Sequence, residues 1–349
     1  MTLHSLPSRP VLVAGAAGFI GSHLCERLLQ AGAKVLAVDN LSSGDERNLR
    51  HLAGHPRLRF MQHDLCAPWT PSVYRAVRRV GRIFNLACPA SPAYYQSRPV
   101  ATVLASAVGT WRLLELAQHN GARLLQASTS EVYGDPQVHP QPEAYWGHVN
   151  PIGVRSCYDE GKRCAEAMCL AYARERGAQV RIARLFNCYG PRLRPGDGRV
   201  VSNFIVQALA HEPITVYGDG AQTRSFCYVS DTVDALLALM DSGLDTPVNI
   251  GRPDECSIRD LAGRVQQLTA SRSALCFQPL PQDDPVQRCP DIGLARAALG
   301  WTPRVPLDEG LRLTIAHFAA RQPDARTVEP AAGRWPRDML RAAGERAVS

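Results

Sequence analysis

Gly15-Ala16-Ala17-Gly18-Phe19-Ile20-Gly21 directly follows the apolar run Pro10-Val11-Leu12-Val13-Ala14 and precedes a predicted helix from Ser22 to Ala31. An apolar run of this kind is typical of a buried parallel strand. Strand, glycine turn and helix together are the context that a dinucleotide fingerprint requires, because glycines let the backbone approach a pyrophosphate at the helix N-terminus. The stretch therefore predicts a cofactor site at Gly15, Gly18, Phe19, Ile20 and Gly21.

An acidic residue ends the second predicted strand, which runs from Lys34 to Val38. Asp39 lies roughly twenty residues past the glycines, where a carboxylate accepts hydrogen bonds from ribose and repels a 2'-phosphate. This position favours NAD over NADP. Asp64 follows a third strand and could meet the adenine amino group, although a helix-capping or loop carboxylate is an open alternative. The further cofactor residues predicted along these strand ends are Asn40, Gly44, Leu65, Leu86 and Ala87.

Strands and helices alternate through the first half of the chain, with six predicted strands at residues 10–14, 34–38, 58–62, 82–87, 122–127 and 180–185. The alternation predicts an α/β fold built on a doubly wound parallel (Rossmann) sheet. We assign residues 8–186 to this NAD-binding domain and expect 227–252 to return to it. Residues 187–226 and 253–320 are predicted to form a smaller α/β substrate-binding lobe, and residues 321–349 a loosely attached tail.

The amino-acid composition says more about the compartment of the protein than about its substrate. The net charge of +7 is spread along 349 residues, which suits an anionic small molecule as well as nucleic acid. Eleven cysteines, without a C-x-x-C pair or Cys/His ligand spacing, predict reduced thiols in a cytoplasmic protein and no disulfide framework or metal site. No stretch approaches about 18 apolar residues, so we expect no membrane anchor.

A tyrosine and a lysine stand four residues apart in Ser156-Cys157-Tyr158-Asp159-Glu160-Gly161-Lys162-Arg163. On a helix the two side chains share one face, so the ammonium can lie beside the phenol. A free tyrosine has a pKa near ~10, and a neighbouring cation lowers it, which would make Tyr158 a usable base. Taken alone, such a pair is more often an ordinary surface contact. Thr129, Ser130 and Glu131 follow the fifth strand, at the sheet edge where ligands bind.

Taken together, these motifs resemble the extended short-chain dehydrogenase/reductase superfamily from about Pro10 to Phe318. Within it, the chain most resembles the UDP-glucuronate decarboxylase family. The stretches that carry this resemblance are residues 128–136, 145–153, 156–163, 197–205 and 222–226, with Asp283-Asp284-Pro285, Arg288, Pro290 and Asp291. The resemblance implies tightly bound NAD, a UDP-glucuronate substrate and a homodimer, without a nucleic-acid or membrane partner.

The resemblance also implies a role for each candidate residue. Tyr158 would take the C4 hydroxyl proton, Lys162 would lower the tyrosine pKa and hold the nicotinamide ribose, and Thr129 would bind near O4. Ser130 and Glu131 would act near the carboxylate and C5, with Glu131 as an acid/base or a water-positioning group. Residues assigned to the substrate are Arg224 for its anionic groups, Tyr217 for stacking on uracil, Asn187, Arg192, Arg199 and Arg288 for the pyrophosphate and ribose, and Asn203.

One segment departs from the family pattern. Leu104-Ala105-Ser106 stands where relatives usually carry Lys-Thr-Asn, the first two of which contribute substrate and cofactor contacts there. Cys88 and Asn85 likewise replace a usual serine and histidine.

Three other functions stay open on the sequence alone. A 4-epimerase needs no carboxylate after the threonine, and a 4,6-dehydratase would be expected to carry Asp in place of Ser130. A regulator that binds the cofactor but has lost catalysis is the third, although such proteins tend to lose the Tyr158/Lys162 pair.

Overall fold

A computed structural model describes residues 9–321 of the chain. Residue 8 of the predicted first domain and residues 322–349 of the predicted tail lie outside the described residues.

Fourteen strands lie within this range. They are β1 (Val11–Ala14), β2 (Val35–Asp39), β3 (Leu58–Gln62), β4 (Arg82–Asn85), β5 (Arg123–Thr129), β6 (Val180–Leu185), β7 (Cys188–Tyr189), β8 (Ile214–Tyr217), β9 (Thr223–Ser225), β10 (Cys227–Tyr228), β11 (Pro247–Ile250), β12 (Glu255–Ser257), β13 (Leu275–Gln278) and β14 (Gln287–Arg288).

Eleven α-helices accompany them: α1 (Phe19–Gln30), α2 (Pro71–Val77), α3 (Pro92–Ser97), α4 (Pro99–Leu104), α5 (Thr110–Asn120), α6 (Ser156–Arg176), α7 (Val200–Leu209), α8 (Val229–Asp241), α9 (Ile258–Thr269), α10 (Gly293–Leu299) and α11 (Leu307–Ala319). Short 3-10 turns cover Glu46–Leu52 and Ser130–Tyr133, and a π-helical turn, Ala105–Gly109, joins α4 to α5.

Seven strands form the central sheet in the order β11-β6-β5-β4-β1-β2-β3, and all of them run parallel. This order reverses direction beside β1, as in a doubly wound dinucleotide-binding sheet. The predicted fold class is confirmed. Residues of β1 alternate between two cores: Val11 and Val13 pack with the larger one, and Leu12 and Ala14 with the other. Helices therefore cover both faces of the sheet.

The region after β6 carries three small sheets rather than one. Strands β10 and β7 pair, β9 lies between β12 and β14, and β13 pairs with β8. Strand β11, by contrast, pairs with β6 at the edge of the central sheet, and α8 packs on β5 and β6. With α8 and β11 the chain thus lies against the central sheet again, before it builds the remaining small strands.

The continuous helical segment of α4, the π-helical turn and α5 spans Pro99–Asn120. An 18-residue window within these 22 residues has a mean hydropathy of 1.3. By length and composition the segment could cross a membrane, contrary to the sequence expectation that no stretch approaches about 18 apolar residues. Leu113, Leu114 and Ala117 on this segment pack in the core beside the sheet. A core helix with one apolar outer face accounts for the composition.

Candidate active site

A cleft of about 1840 Å³ runs along the carboxyl ends of the central strands and reaches the region after β6. Open parallel sheets bind their ligands at this edge. The wall of the cleft contains all of the residues predicted for the cofactor, namely Gly15, Gly18, Phe19, Ile20, Gly21, Asp39, Asn40, Gly44, Asp64, Leu65, Leu86, Ala87, Tyr158 and Lys162.

The turn between β1 and α1 has no room for side chains. Gly15 has a φ of +78°, and a Cβ atom there would lie 2.7 Å from the carbonyl oxygen of Leu86. A Cβ on Gly21 would lie 2.0 Å from the carbonyl oxygen of Gly15. Only glycine fits at either position, and the close approach leaves the N-terminus of α1 open to the cleft. Such a cradle fits a dinucleotide pyrophosphate.

Asp39 is fixed at the end of β2 by two backbone amides. Its carboxylate accepts hydrogen bonds from the amides of Ala17, at 2.9 Å, and Leu41, at 2.8 Å. Burial raises the pKa of Asp39, and these two hydrogen bonds oppose the rise. Asn40 donates to Asp64 over 3.3 Å, so the two predicted adenosine-side residues lie together. A carboxylate in this wall fits NAD better than NADP, whose 2'-phosphate it would repel.

The Tyr158 and Lys162 side chains are both buried in the cleft wall. The Lys162 Nζ donates to the carbonyl oxygen of Ala127 at 2.8 Å and lies 5.8 Å from the centre of the Tyr158 ring. Burial raises the pKa of Tyr158, the Cys88 thiol adds to the rise, and a hydrogen bond with Thr129 only partly opposes it. In the protein alone, burial therefore decides the direction of the Tyr158 shift, and the lowering expected from Lys162 stays a prediction.

A second tyrosine, which the sequence analysis missed, stacks on Tyr158. The Tyr95 ring from α3 lies 5.0 Å from the Tyr158 ring, and the two planes differ by 5°. The Tyr95 hydroxyl is buried and has no hydrogen-bond partner within residues 9–321. The stack fixes the plane of the Tyr158 ring in the cleft wall, and its only sequence signal was a tyrosine in the loop after β4.

Glu131 is held between two arginines just beyond β5. Arg288 Nη1 lies 3.0 Å from one carboxylate oxygen, and Arg155 Nη2 lies 2.8 Å from the other. Burial opposes ionisation, but Arg288 and Arg155 outweigh it and lower the pKa of Glu131 to about 2. Glu131 therefore remains a carboxylate at neutral pH. The arrangement favours its positioning role over its predicted role as a proton donor.

Arg155 is the main site residue that the sequence analysis missed. It stands just before α6, about one turn ahead of Tyr158, lines the cleft and is largely buried. Besides Glu131 it approaches Asp284, at 3.6 Å, and Asp284 also pairs with Arg224 at 3.0 Å. With Arg288, this cluster holds three arginines against two carboxylates, which leaves it a surplus of positive charge for an anionic ligand.

Two predicted substrate residues need correction. Arg288 is only 1% exposed and does not line the cleft; its guanidinium donates to the Ser130 hydroxyl at 3.0 Å and to the Gly134 carbonyl at 2.7 Å. The pairing of β14 with β9 places it behind Glu131 rather than at a pyrophosphate. Asn203 is also absent from the cleft wall, since Val200, Val201 and Phe204 form the face of α7 that lines it.

The other predicted substrate residues line the cleft, namely Asn187, Arg192, Arg199, Tyr217 and Arg224. Their arginines already have protein partners. Arg192 pairs with Glu26 of α1, Arg199 lies 3.4 Å from Asp197, and Arg224 donates to the Pro285 carbonyl as well as to Asp284. A bound phosphate would have to share or replace these contacts.

The segment Leu104-Ala105-Ser106, which departs from the family pattern, lies where α4 passes into the π-helical turn. Leu104 and Ala105 line the cleft, whereas Ser106 is buried with its hydroxyl 3.2 Å from the Cys88 thiol. Two of the replaced positions therefore meet each other behind the cleft. A π-helical turn is frequent at functional sites, and here it places an apolar surface where relatives carry polar side chains.

Asp159 gives the site a pH dependence that can be measured. Its side chain is buried and one carboxylate oxygen has no partner within the described residues. Burial, then the charge of Glu131, raise the pKa of Asp159 from 3.8 to about 8, while Arg155 and Arg288 oppose the rise. Because the folded protein keeps a proton that the unfolded chain has lost, stability falls as the pH rises through this window.

We therefore expect the Asp159→Asn variant to have a larger free energy of unfolding than the native chain. This margin should grow with pH. One pKa unit corresponds to about 1.4 kcal/mol, so the margin at pH ~8 should exceed that at pH ~5 by at least about 1 kcal/mol. Urea unfolding at the two pH values measures it. A margin that stays constant or shrinks would contradict a protonated Asp159.

Comparisons with known proteins agree with this geometry. Residues 11–251 match the family model described as the NAD dependent epimerase/dehydratase family. UDP-glucuronic acid decarboxylase 1 of Danio rerio is 52% identical over 88% of this chain and 72% of its own length. UDP-glucuronic acid decarboxylase 3 of Arabidopsis thaliana is 50% identical over 90% of each.

One similar solved structure contains both a cofactor and a sugar nucleotide. The UDP-glucuronic acid 4-epimerase from Bacillus cereus, in complex with UDP-glucuronic acid and NAD, superposes with a TM-score of 0.81 at 27% identity. The match covers 89% of this chain and 99% of that one. The likeness extends over both the central sheet and the region after it.

Proposed function

The chain belongs to the NAD dependent epimerase/dehydratase family, among the extended short-chain dehydrogenases/reductases, and from this premise we propose that it converts UDP-glucuronate to UDP-xylose and carbon dioxide. The observation that carries the proposal is the arginine-clamped Glu131 beside Thr129 and Tyr158. The cluster has a surplus positive charge for the substrate carboxylate. Ser130, where a dehydratase would carry Asp, removes the acid that would expel a C6 hydroxyl.

The residues of the first domain hold NAD. The glycine turn and the N-terminus of α1 receive the pyrophosphate, and Asp39 receives the adenosine ribose. When bound, NAD+ supplies the hydride acceptor for C4 of the sugar and, once reduced, the hydride that returns there. Lys162, fixed on the Ala127 carbonyl, would hold the nicotinamide ribose.

Tyr158 takes the proton of the C4 hydroxyl and later gives it back to the C4 oxygen. Thr129 ends β5, and its hydroxyl, which opposes the pKa rise of Tyr158, would bind the same oxygen. Burial keeps the Tyr158 ring free of bulk water, and the stack on Tyr95 holds its plane. The charge of Lys162 favours the phenolate that this step needs.

The C4 ketone makes the C5 carboxylate a β-keto acid, which loses carbon dioxide when the C5–carboxyl bond breaks and its electrons pass into an enolate. A proton then adds at C5. Arg155 lines the cleft and binds the departing carboxylate in competition with Glu131. Glu131 stays ionised, so it positions Arg155, Ser130 and any water near C5 rather than donating the proton itself.

The test is to incubate the purified protein with UDP-glucuronate and to follow carbon dioxide release and the sugar nucleotides by NMR. We expect carbon dioxide and UDP-xylose in equal amounts, with no net change in NADH absorbance. UDP-galacturonate without carbon dioxide would assign a 4-epimerase instead. No conversion by folded, NAD-loaded protein would assign a cofactor-binding regulator.

We further infer that two copies of the chain pair through α4, α5 and α6. The outer face of the Pro99–Asn120 segment exposes Val100 by 71% and Trp111 by 43%, together with Val103. This face lies beside α6, so that two helices per chain would meet in a two-fold seam. An apolar patch of this kind is typical of a protein interface.

Trp111→Lys is expected to convert dimers into monomers, because two buried charges would face each other across the seam. Light scattering after size-exclusion chromatography measures the mass. Trp146→Lys is the matched control, since Trp146 is 89% exposed on a loop outside the seam. Monomers from the control but not from Trp111→Lys would place the interface elsewhere.

The state of the cysteines supports a location for the protein. All eleven are free thiols, five of them buried, which fits a reducing compartment. We propose that the protein is cytoplasmic, which fractionation of the source cells would test.

A further inference from the structure

A cluster of three metal-ligand side chains lies outside the cleft. His139, Glu255 and Cys289 each direct one donor atom towards the others, and all three atoms lie within 4.8 Å of one another. The His139 Nε2 and a Glu255 carboxylate oxygen are 2.9 Å apart. None of the three residues lines the active-site cleft.

Hydrogen bonds fix each residue of the cluster in place. The Gln141 backbone amide donates to the Cys289 carbonyl, and the Cys289 amide donates to the Gln141 side chain, both at 2.9 Å. The loop that bears His139 is thereby attached beside Cys289, which directly follows β14. The Thr223 hydroxyl donates to the second oxygen of Glu255 at 2.8 Å. Supporting hydrogen bonds to ligating carboxylates are typical of built metal sites.

The donor set has a defined chemical preference. An imidazole, a carboxylate and a thiolate together suit Zn²⁺, which takes three protein ligands and a water at open sites. Zinc bonds of about 2.0–2.3 Å place neighbouring ligands roughly 3–4 Å apart, so small side-chain rotations complete the geometry. Cys289 is buried, whereas the His139 and Glu255 side chains are about a third and a quarter exposed. Solvent therefore has a path to the cluster.

We propose that His139, Glu255 and Cys289 form a Zn²⁺ site with water as the fourth ligand. The ion joins three segments that are separate in sequence: the loop before α6, β12 and the residue after β14. Cys289 directly follows Arg288, whose side chain extends the other way to Ser130 and Glu131. The ion thus fastens the strand end that supplies an arginine to the active site.

The site is tested with the full chain, stripped by a chelator and titrated with ZnCl₂ by calorimetry, and separately with CoCl₂ by absorption spectroscopy. We expect one ion per chain and a thiolate-to-cobalt charge-transfer band. Cys289→Ser should remove the band, and Glu255→Gln should weaken zinc binding at least about tenfold. Thr223→Ala, which releases Glu255 without removing a ligand, should weaken it about 10–100-fold.

Cys256→Ser is the matched control, because Cys256 is a half-buried thiol on the same strand as Glu255. It should bind zinc as the native chain does. Circular dichroism shows whether each variant is folded. If Cys289→Ser does not fold, Glu255→Gln still tests the proposal. Zinc uptake by the native chain no greater than that of the folded Cys289→Ser or Glu255→Gln variants overturns the proposal.

Discussion

Tyr158→Phe is expected to lower turnover of UDP-glucuronate by about 10²–10⁴-fold, the range typical of a lost general base. The substitution removes only the phenol oxygen. The stack on Tyr95 and the hydrogen bond from Lys162 to Ala127 do not depend on that oxygen, so the cleft should keep its shape. Steady-state kinetics gives the loss in kcat, and the NAD content of the purified variant should match that of the native chain.

Tyr172→Phe supplies the control for this experiment. Tyr172 lies on the same helix, and its hydroxyl contacts Glu115 on the surface rather than the cleft. The control should keep full activity. If Tyr158→Phe retains activity within about tenfold of the native chain, Tyr158 is not the base. If it loses NAD together with activity, its role is structural.

Arg288→Met is expected to have the largest effect on stability. Its guanidinium is the most buried of the arginine groups around Glu131. It also donates hydrogen bonds to the Ser130 hydroxyl and the Gly134 carbonyl. Removing one partner of a buried ion pair leaves the other charge uncompensated and costs about 3–5 kcal/mol. Urea unfolding, with the NAD content of each sample measured, gives this loss, and kcat should fall as Glu131 loses its fixed position.

A double-mutant cycle with Glu131→Gln isolates the pair. Once the carboxylate is neutral, the missing arginine matters less, so the double variant should recover about 1–3 kcal/mol relative to the sum of the single losses. Arg288 and Arg155 hold the pKa of Glu131 near 2, which likewise means that the ionised pair stabilises the folded protein. Its stabilising effect is present above about pH 4.5 and is lost as the pH falls towards 2. Additive losses would contradict the coupling.

Local sequence patterns sufficed for the cofactor half of the site. The turn from Gly15 to Gly21 and the acid at Asp39 are determined within one strand–turn–helix unit and the next strand, so spacing alone located them. Tyr158 and Lys162 share a helix, and helix periodicity places them on one face. For these residues a short stretch of chain contains the geometry.

The substrate half depends on contacts between distant segments, which spacing does not encode. Arg288 reaches Glu131 only because β14 pairs with β9. Spacing in the sequence does not reveal this pairing, so the sequence analysis placed Arg288 at the pyrophosphate. Arg155 was missed although it lies one turn before Tyr158, because its partner Glu131 comes from a distant segment, the 3-10 turn after β5. The pKa of Tyr158 rises for the same reason: burial is a property of the assembled fold.

The segment Leu104-Ala105-Ser106 departs from the family pattern, and the structure shows what this change does to the cleft wall. Leu104 and Ala105 keep their place in the cleft wall but offer it no hydrogen-bonding side chain, while Ser106 turns to Cys88. The Arg155–Glu131–Arg288 cluster, which is independent of this segment, keeps its full set of contacts. The structure thus retains the groups that we propose to act on the substrate carboxylate.

In the proposed reaction the sugar is oxidised at C4 and reduced again at the same carbon after carbon dioxide has left. The most direct measurement is conversion of UDP-glucuronate that carries deuterium at C4, followed by NMR and mass analysis of the product. We predict UDP-xylose that keeps the deuterium at C4, with one carbon dioxide released per molecule. Deuterium retained in UDP-galacturonate, or UDP-xylose with protium at C4, would contradict the proposed reaction.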